Sequence, residues 1–207
     1  MEAAYANTIR ATARSVGLGF GLFFLLLGVC MLLLPQGIKV NEGLSYYGTH
    51  SLTVVPYGLA FFALCFGTWR ASNILSRGAK QLRFAIFSAR LIVILMLGVL
   101  LTPNTVNFTF EQLHVIVGSL VFVVQVILGF WFAVKLRTNF ITWVLLLVQL
   151  FCMAVAYEFL TTLDGYLIAG QFGFQLAFAI LVVHGLLHPK FLTAPAERSS
   201  ITAPDSP

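Results

Sequence analysis

The chain has 207 residues, of which 59% are hydrophobic and 9% charged, with a mean hydropathy of +0.95. Soluble domains carry about a quarter charged residues, so this composition excludes an ordinary soluble enzyme and predicts an integral membrane protein in contact with the lipid bilayer. The formal net charge of +5 does not imply nucleic acid, because the basic residues fall in gaps between apolar runs, where membrane orientation accounts for them.

Residues 1–15 read as a short polar lead carrying Arg10 and Arg14. The run that follows, GLGFGLFFLLLGVCMLLL up to Pro35, exceeds a signal-peptide core, and no small-x-small cleavage site follows it. A retained first helix is therefore expected. Gly17 and Gly21 make a GxxxG spacing, a candidate face for close helix packing. The connection 36–52 is polar and gathers Glu42, Tyr46, Tyr47 and His50. Pro56 suits the first turn of a second helix reaching Trp69. Arg70, Arg77, Lys80 and Arg83 make the next connection basic. A third span covers 84–102, with Arg90 close enough to the basic end to snorkel and Pro103 to stop it.

An acidic, lysine-free stretch, NTVNFTFEQLH, leads into a fourth span from His114 to Lys135. Its His114, Gly118, Gln125 and Gly129 fall at i, i+4, i+11 and i+15, a stripe roughly 60° wide at about 100° per residue. That face is expected to meet protein and the remainder lipid or other apolar helices. Asn107-Phe-Thr is formally a glycosylation sequon. A fifth span covers 141–157, with Trp143 and Tyr157 at opposite interfaces. A link with Glu158 and Asp164 precedes the sixth span, Tyr166 to His188, which Pro189 ends. The reading is an all-α integral membrane six-helix bundle over 16–188, preceded by a cytoplasmic lead over 1–15 and followed by a disordered cytoplasmic tail over 189–207.

Orientation follows from Lys and Arg. With the N-terminus inside, the cytoplasmic segments carry Arg10, Arg14, Arg70, Arg77, Lys80, Arg83, Lys135, Arg137, Lys190 and Arg198, and the outer loops carry Lys39, ten against one. Both termini are expected in the cytoplasm. The short connections suggest a prokaryotic plasma membrane. Cys30, Cys65 and Cys152 lie in different apolar runs without CxxC spacing, so buried thiols are expected rather than a disulfide framework or zinc knuckle.

Candidate chemistry gathers on the outer side. Glu42, Tyr46, Tyr47, His50, Glu111, His114 and Asp164 come from three different outer loops and form the expected ligand-binding surface, for a lipid, small molecule, ion or partner protein. His50 and His114 are the candidate metal ligands, although no spacing fixes a ligand count. Wet outer loops carry such residues without any ligand. Gln125, Gln149 and Gln175 lie at similar depth on three helices and are expected to form a structural polar layer. His184 and His188 share a helix face, but no firm third ligand stands near them. No Walker loop, GxSxG, HExxH or dinucleotide fingerprint occurs, so no catalytic residue is assigned and no cofactor is expected. A homo-oligomer or a partner membrane protein stays open.

Two resemblances can be stated on particular residues. The helix from Leu113 to Phe132, LHxxxGxxxFxxQxxxGFxxF, resembles the corresponding helix of the ascorbate-reducible cytochrome b family. That resemblance implies His114 as a haem ligand with His50 as its partner. The layout of six short-looped helices, with Glu42-Gly-Leu-Ser-Tyr-Tyr-Gly in the first outer loop, is similar to small uncharacterised prokaryotic membrane proteins and the six-helix DRAM-like group. Three roles are therefore weighed: a non-catalytic binding protein, a haem or metal electron carrier using His50 and His114, and a metal-dependent membrane hydrolase or transferase using outer His and Glu.

Overall fold

In a bilayer every backbone N–H and C=O must be paired within the protein, so long apolar runs become helices. The structure, a computed structural model, describes residues 2–39, 43–102, 106–161 and 167–193. Among these residues the fold is all-α, without a strand. The helices are α1 (Glu2–Leu33), α2 (Tyr46–Thr49), α3 (Val54–Gly78), α4 (Arg83–Leu101), α5 (Phe108–Lys135), α6 (Phe140–Thr161), α7 (Leu167–Leu187) and α8 (Pro189–Leu192). Six of them, α1 and α3 to α7, are long and apolar enough to cross a membrane. This is the six-span bundle that the hydropathy predicts.

Several boundaries differ from the sequence expectation. Residues 2–15 are not a separate lead but the first turns of α1, because Ile9, Thr12, Ala13 and Val16 are buried. Helix α5 starts at Phe108, ahead of His114, because Asn107 caps it: its side-chain oxygen accepts from the Phe110 N–H at 3.0 Å. Pro189 begins the short helix α8, whose Phe191 is buried, so the expected disordered tail cannot start there. Its residues from 194 onward lie outside the described residues.

Contacts between helices run α1 to α3, α3 to α4, α4 to α5, α5 to α7 and α7 back to α1. These five close a ring. Helix α6 stands outside it, packed on α7 and α5. A close crossing joins α6 and α7, where a Cβ added to Gly170 would stand 2.7 Å from the Ala156 backbone nitrogen, and another joins α1 and α3, where a Cβ added to Gly67 would stand 2.8 Å from the Gly19 Cα. The Ser15 hydroxyl donates to the Gly67 carbonyl at 3.0 Å beside it. The GxxxG pair is thus not the close-packed face: a Cβ at Gly17 meets its nearest neighbour at 3.9 Å, and one at Gly21 meets nothing within 4 Å.

Phe20, Phe23, Phe61 and Phe178 fill the ring, with edge-on contacts such as Phe23 to Phe61 at 5.4 Å. Outside, Leu18, Leu32, Phe62, Phe87, Phe130 and Phe151 are exposed, the surface that lipid covers. At the basic end, the Lys190 ammonium donates to the Lys135 carbonyl at 2.7 Å, satisfying an orphan acceptor at the end of α5. Arg90 lays its guanidinium over the Trp69 ring, 5.8 Å from its centroid. All three cysteines are free thiols.

Candidate ligand-binding site

On the polar stripe of α5, His114 and Gly118 are half-buried and face into the ring, Gln125 is buried, and the buried Gly129 faces α6 and α7. At the end of α4 the Thr102 carbonyl lacks a helical partner, and the His114 Nδ1 lies 2.7 Å from it. A carbonyl only accepts, so Nδ1 carries the proton. In the neutral imidazole, Nε2 is then the acceptor, and it receives the Ser45 hydroxyl at 2.6 Å. His114 thereby ties together α4, α5 and the segment joining α1 to α3.

The described part of that segment is not a free loop. Pro35–Lys39 and Gly43–Ser45 form single 3-10 turns, α2 follows, and Tyr46 and Tyr47 are buried. Gly43 has φ +64°, a conformation that glycine adopts without strain. Its neighbour Leu44 donates its N–H to the Gln171 side-chain oxygen of α7 at 2.8 Å. Thr53 donates to the Tyr47 carbonyl at 2.8 Å, and the Cys30 thiol lies 3.8 Å from the Thr53 carbonyl. The segment is a lid, fixed to α1, α3, α5 and α7.

Under the lid is a cavity of about 80 Å³. Its walls are largely apolar, including Phe23, Phe61, Met96 and Val121, while Ser45, Tyr57, His114, Gln171 and Gln175 supply polar groups. None of its lining residues is Asp, Glu, Lys or Arg. At its floor, Gln175 and Gln125 exchange hydrogen bonds of 2.9 and 3.0 Å. A second cavity of about 140 Å³ borders α3 and α4, shares Ser45, Tyr57, Val99 and His114 with the first, and has the exposed Val54 on its rim. Nearer the basic end, the five ring helices enclose a third, of about 40 Å³, lined by Thr12, Thr68, Phe132 and Val182 among others.

The residues expected to form the binding surface occupy different places. Tyr46 and Tyr47 belong to the lid and are buried within it rather than on a wet face, being 9% and 0% exposed. The Tyr47 hydroxyl is buried with no partner among the described residues. Burial pushes its phenol above the ordinary range, with Cys30 and Tyr46 adding to the effect. His50 lies against Tyr46, with ring centroids 4.0 Å apart and the planes tilted by 40°, and its Nδ1 donates to the Tyr46 carbonyl at 2.7 Å. Glu111 is exposed and is not among the residues lining the cavity. Glu42 and Asp164 lie outside the described residues, as does the side chain of Glu158.

Of the three glutamines, Gln125 and Gln175 pair. Gln149 is fully buried, and both polar atoms of its amide lack a partner among the described residues. It packs against Gly129, where an added Cβ would stand 2.8 Å from its oxygen. The two histidines of α7's basic end have separate structural contacts: His184 meets Asn139 at 3.3 Å, and His188 accepts from the Lys190 N–H at 3.2 Å.

Among the described residues, no group of three or more His, Cys, Asp or Glu side chains could hold a metal ion. The haem implied by the cytochrome-like helix does not fit the arrangement at His114. Both ring nitrogens are taken, by Thr102 and Ser45. The adjoining 80 Å³ holds a handful of small groups, a water needing about 10–15 Å³ of such space, and not a porphyrin.

Ser45, Tyr57, Thr102 and Gln171 complete the site but carry no strong signal in the sequence. Gln171 precedes Gln175 by one helical turn, so an amide pair on one face of the last span was the available clue. Comparison of the chain with protein-family models, curated proteins and solved structures finds no match.

Proposed function

We propose that this is a multi-pass membrane protein that binds a small, neutral, mostly apolar molecule bearing one hydrogen-bonding group in the cavity beneath the lid. The observation that carries this reading is the pairing of uncharged walls with convergent polar side chains from the lid, α3, α5 and α7. The cavity between α3 and α4 supplies a route from the lipid side. The Lys and Arg asymmetry supports a cytoplasmic location for both termini, and the short connections suit a prokaryotic plasma membrane.

Binding is tested by thermal unfolding of the detergent-purified protein with a homologous series of short n-alcohols. A melting temperature that rises with chain length until the cavity is full is expected. Gly118 lines the cavity and has nothing within 4 Å of an added Cβ, so Gly118→Leu fills the space and should abolish the shift. An equal shift in the variant, or none in the parent protein, overturns the reading. Orientation is tested in intact cells with an impermeant maleimide, which should label Lys39→Cys and spare Arg77→Cys.

A further inference from the structure

We infer that Ser45 and His114 form a nucleophile–base pair that cleaves a small carboxylic ester held in the two cavities. The inference rests on the ligand-binding reading and gives the ligand a chemical class. Three groups stand in line: the Ser45 hydroxyl 2.6 Å from His114 Nε2, and His114 Nδ1 2.7 Å from the Thr102 carbonyl. The carbonyl does what a carboxylate does in a hydrolytic triad, holding the imidazole in the tautomer whose lone pair faces the hydroxyl. The pair is also rigidly supported. His114 stands on the long helix α5, and the Gln171 oxygen grips Leu44, next to Ser45, at 2.8 Å.

Position adds the second argument. Ser45, Tyr57 and His114 line both the 80 Å³ cavity inside the ring and the 140 Å³ cavity between α3 and α4. A bound ester can therefore place its acyl part in one and its alkoxy part in the other, with the carbonyl carbon at Ser45. Tyr57 lines both cavities together with Ser45, and its phenol can donate to the oxygen on which charge develops. The volumes restrict the acyl part to a short chain.

The Ser45 oxygen forms a bond to the ester carbonyl carbon while its proton moves to Nε2. The bond from that carbon to the alkoxy oxygen breaks, and the leaving oxygen takes the proton from Nε2 and departs as the alcohol. Water repeats the sequence: its oxygen bonds to the acyl carbon while one proton moves to Nε2, the bond from that carbon to the Ser45 oxygen breaks, the Ser45 oxygen takes the proton from Nε2, and the carboxylic acid is released.

The test uses the full chain in detergent, with a short-alkyl fluorophosphonate and with p-nitrophenyl butyrate. Peptide mass mapping should find the phosphonyl adduct on Ser45. Ser45→Ala should lose both adduct and turnover while keeping a thermal shift with butyl butyrate, and His114→Ala should react roughly 10²–10⁴-fold more slowly. If the parent protein shows the butyl butyrate shift but no adduct on Ser45, the catalytic inference falls and ligand binding stands. If it shows neither shift nor adduct, both fall. An adduct on a different residue, with Ser45→Ala still turning over, also overturns the inference.

Discussion

Gln125 and Gln175 donate to each other across the ring, at 2.9 and 3.0 Å, and close a two-bond amide pair beneath the cavity. Replacing Gln125 by Leu strands the Gln175 amide in an apolar interior, an expected loss of about 1–3 kcal/mol. The double replacement by Leu removes both polar groups and should cost less than the two single losses combined. Detergent-unfolding equilibria arranged as a double-mutant cycle should give a coupling of roughly 0.6–2 kcal/mol.

The Gly19–Gly67 crossing sets the spacing of α1 and α3. A Cβ at Gly67 would stand 2.8 Å from both the Gly19 Cα and the Ser15 carbonyl oxygen, which are backbone atoms with little freedom to move. Gly67→Ala should destabilise by about 1–3 kcal/mol, whereas Gly21→Ala, with open space around it, should leave the melting temperature unchanged. Thermal unfolding of the two variants side by side decides.

Gly43 and Gln171 fix the lid. Alanine at Gly43 meets a positive φ and would place its Cβ 2.6 Å from the Gln171 oxygen, so about 1–3 kcal/mol of strain is expected locally. Gln171→Leu removes the acceptor for Leu44. In both variants, amide hydrogen exchange over 43–50 should accelerate, while exchange in the middle of α3 stays at the parent rate.

Tyr47 keeps a buried hydroxyl that has no partner among the described residues. Its folded-state pKa lies above the ordinary value of 10.0, so below that pH folded and unfolded chains are both protonated and no stability is lost. As pH rises past it, the unfolded chain gives up the proton first, and stability declines. Tyr47→Phe should flatten this alkaline decline. At neutral pH it should be neutral or stabilising, because it removes a desolvated hydroxyl without breaking a bond. Melting curves at neutral and alkaline pH measure both effects.

The six crossings were legible because a bilayer selects on length and hydropathy, which composition displays directly. Helix ends were less so: the Asn107 cap extends α5, and burial of Ile9 and Ala13 makes the polar lead helical, neither of which hydropathy reports. His114 and Gln125 stood out as polar positions on one face of an apolar helix. Their partners did not, since the Ser45–His114 bond spans 69 residues and the Leu44–Gln171 bond 127, separations that no local pattern encodes. Likewise, the glycines of the α1–α3 crossing, Gly19 and Gly67, sit on different helices, a pairing that no spacing within either helix encodes.

The α1–α7 contact closes the ring of five helices. During synthesis the other four ring members enter the membrane before α7 does, so the chamber has an open seam until that helix leaves the translocon. A nascent chain halted after α6 would therefore present the seam, with its phenylalanines, to lipid.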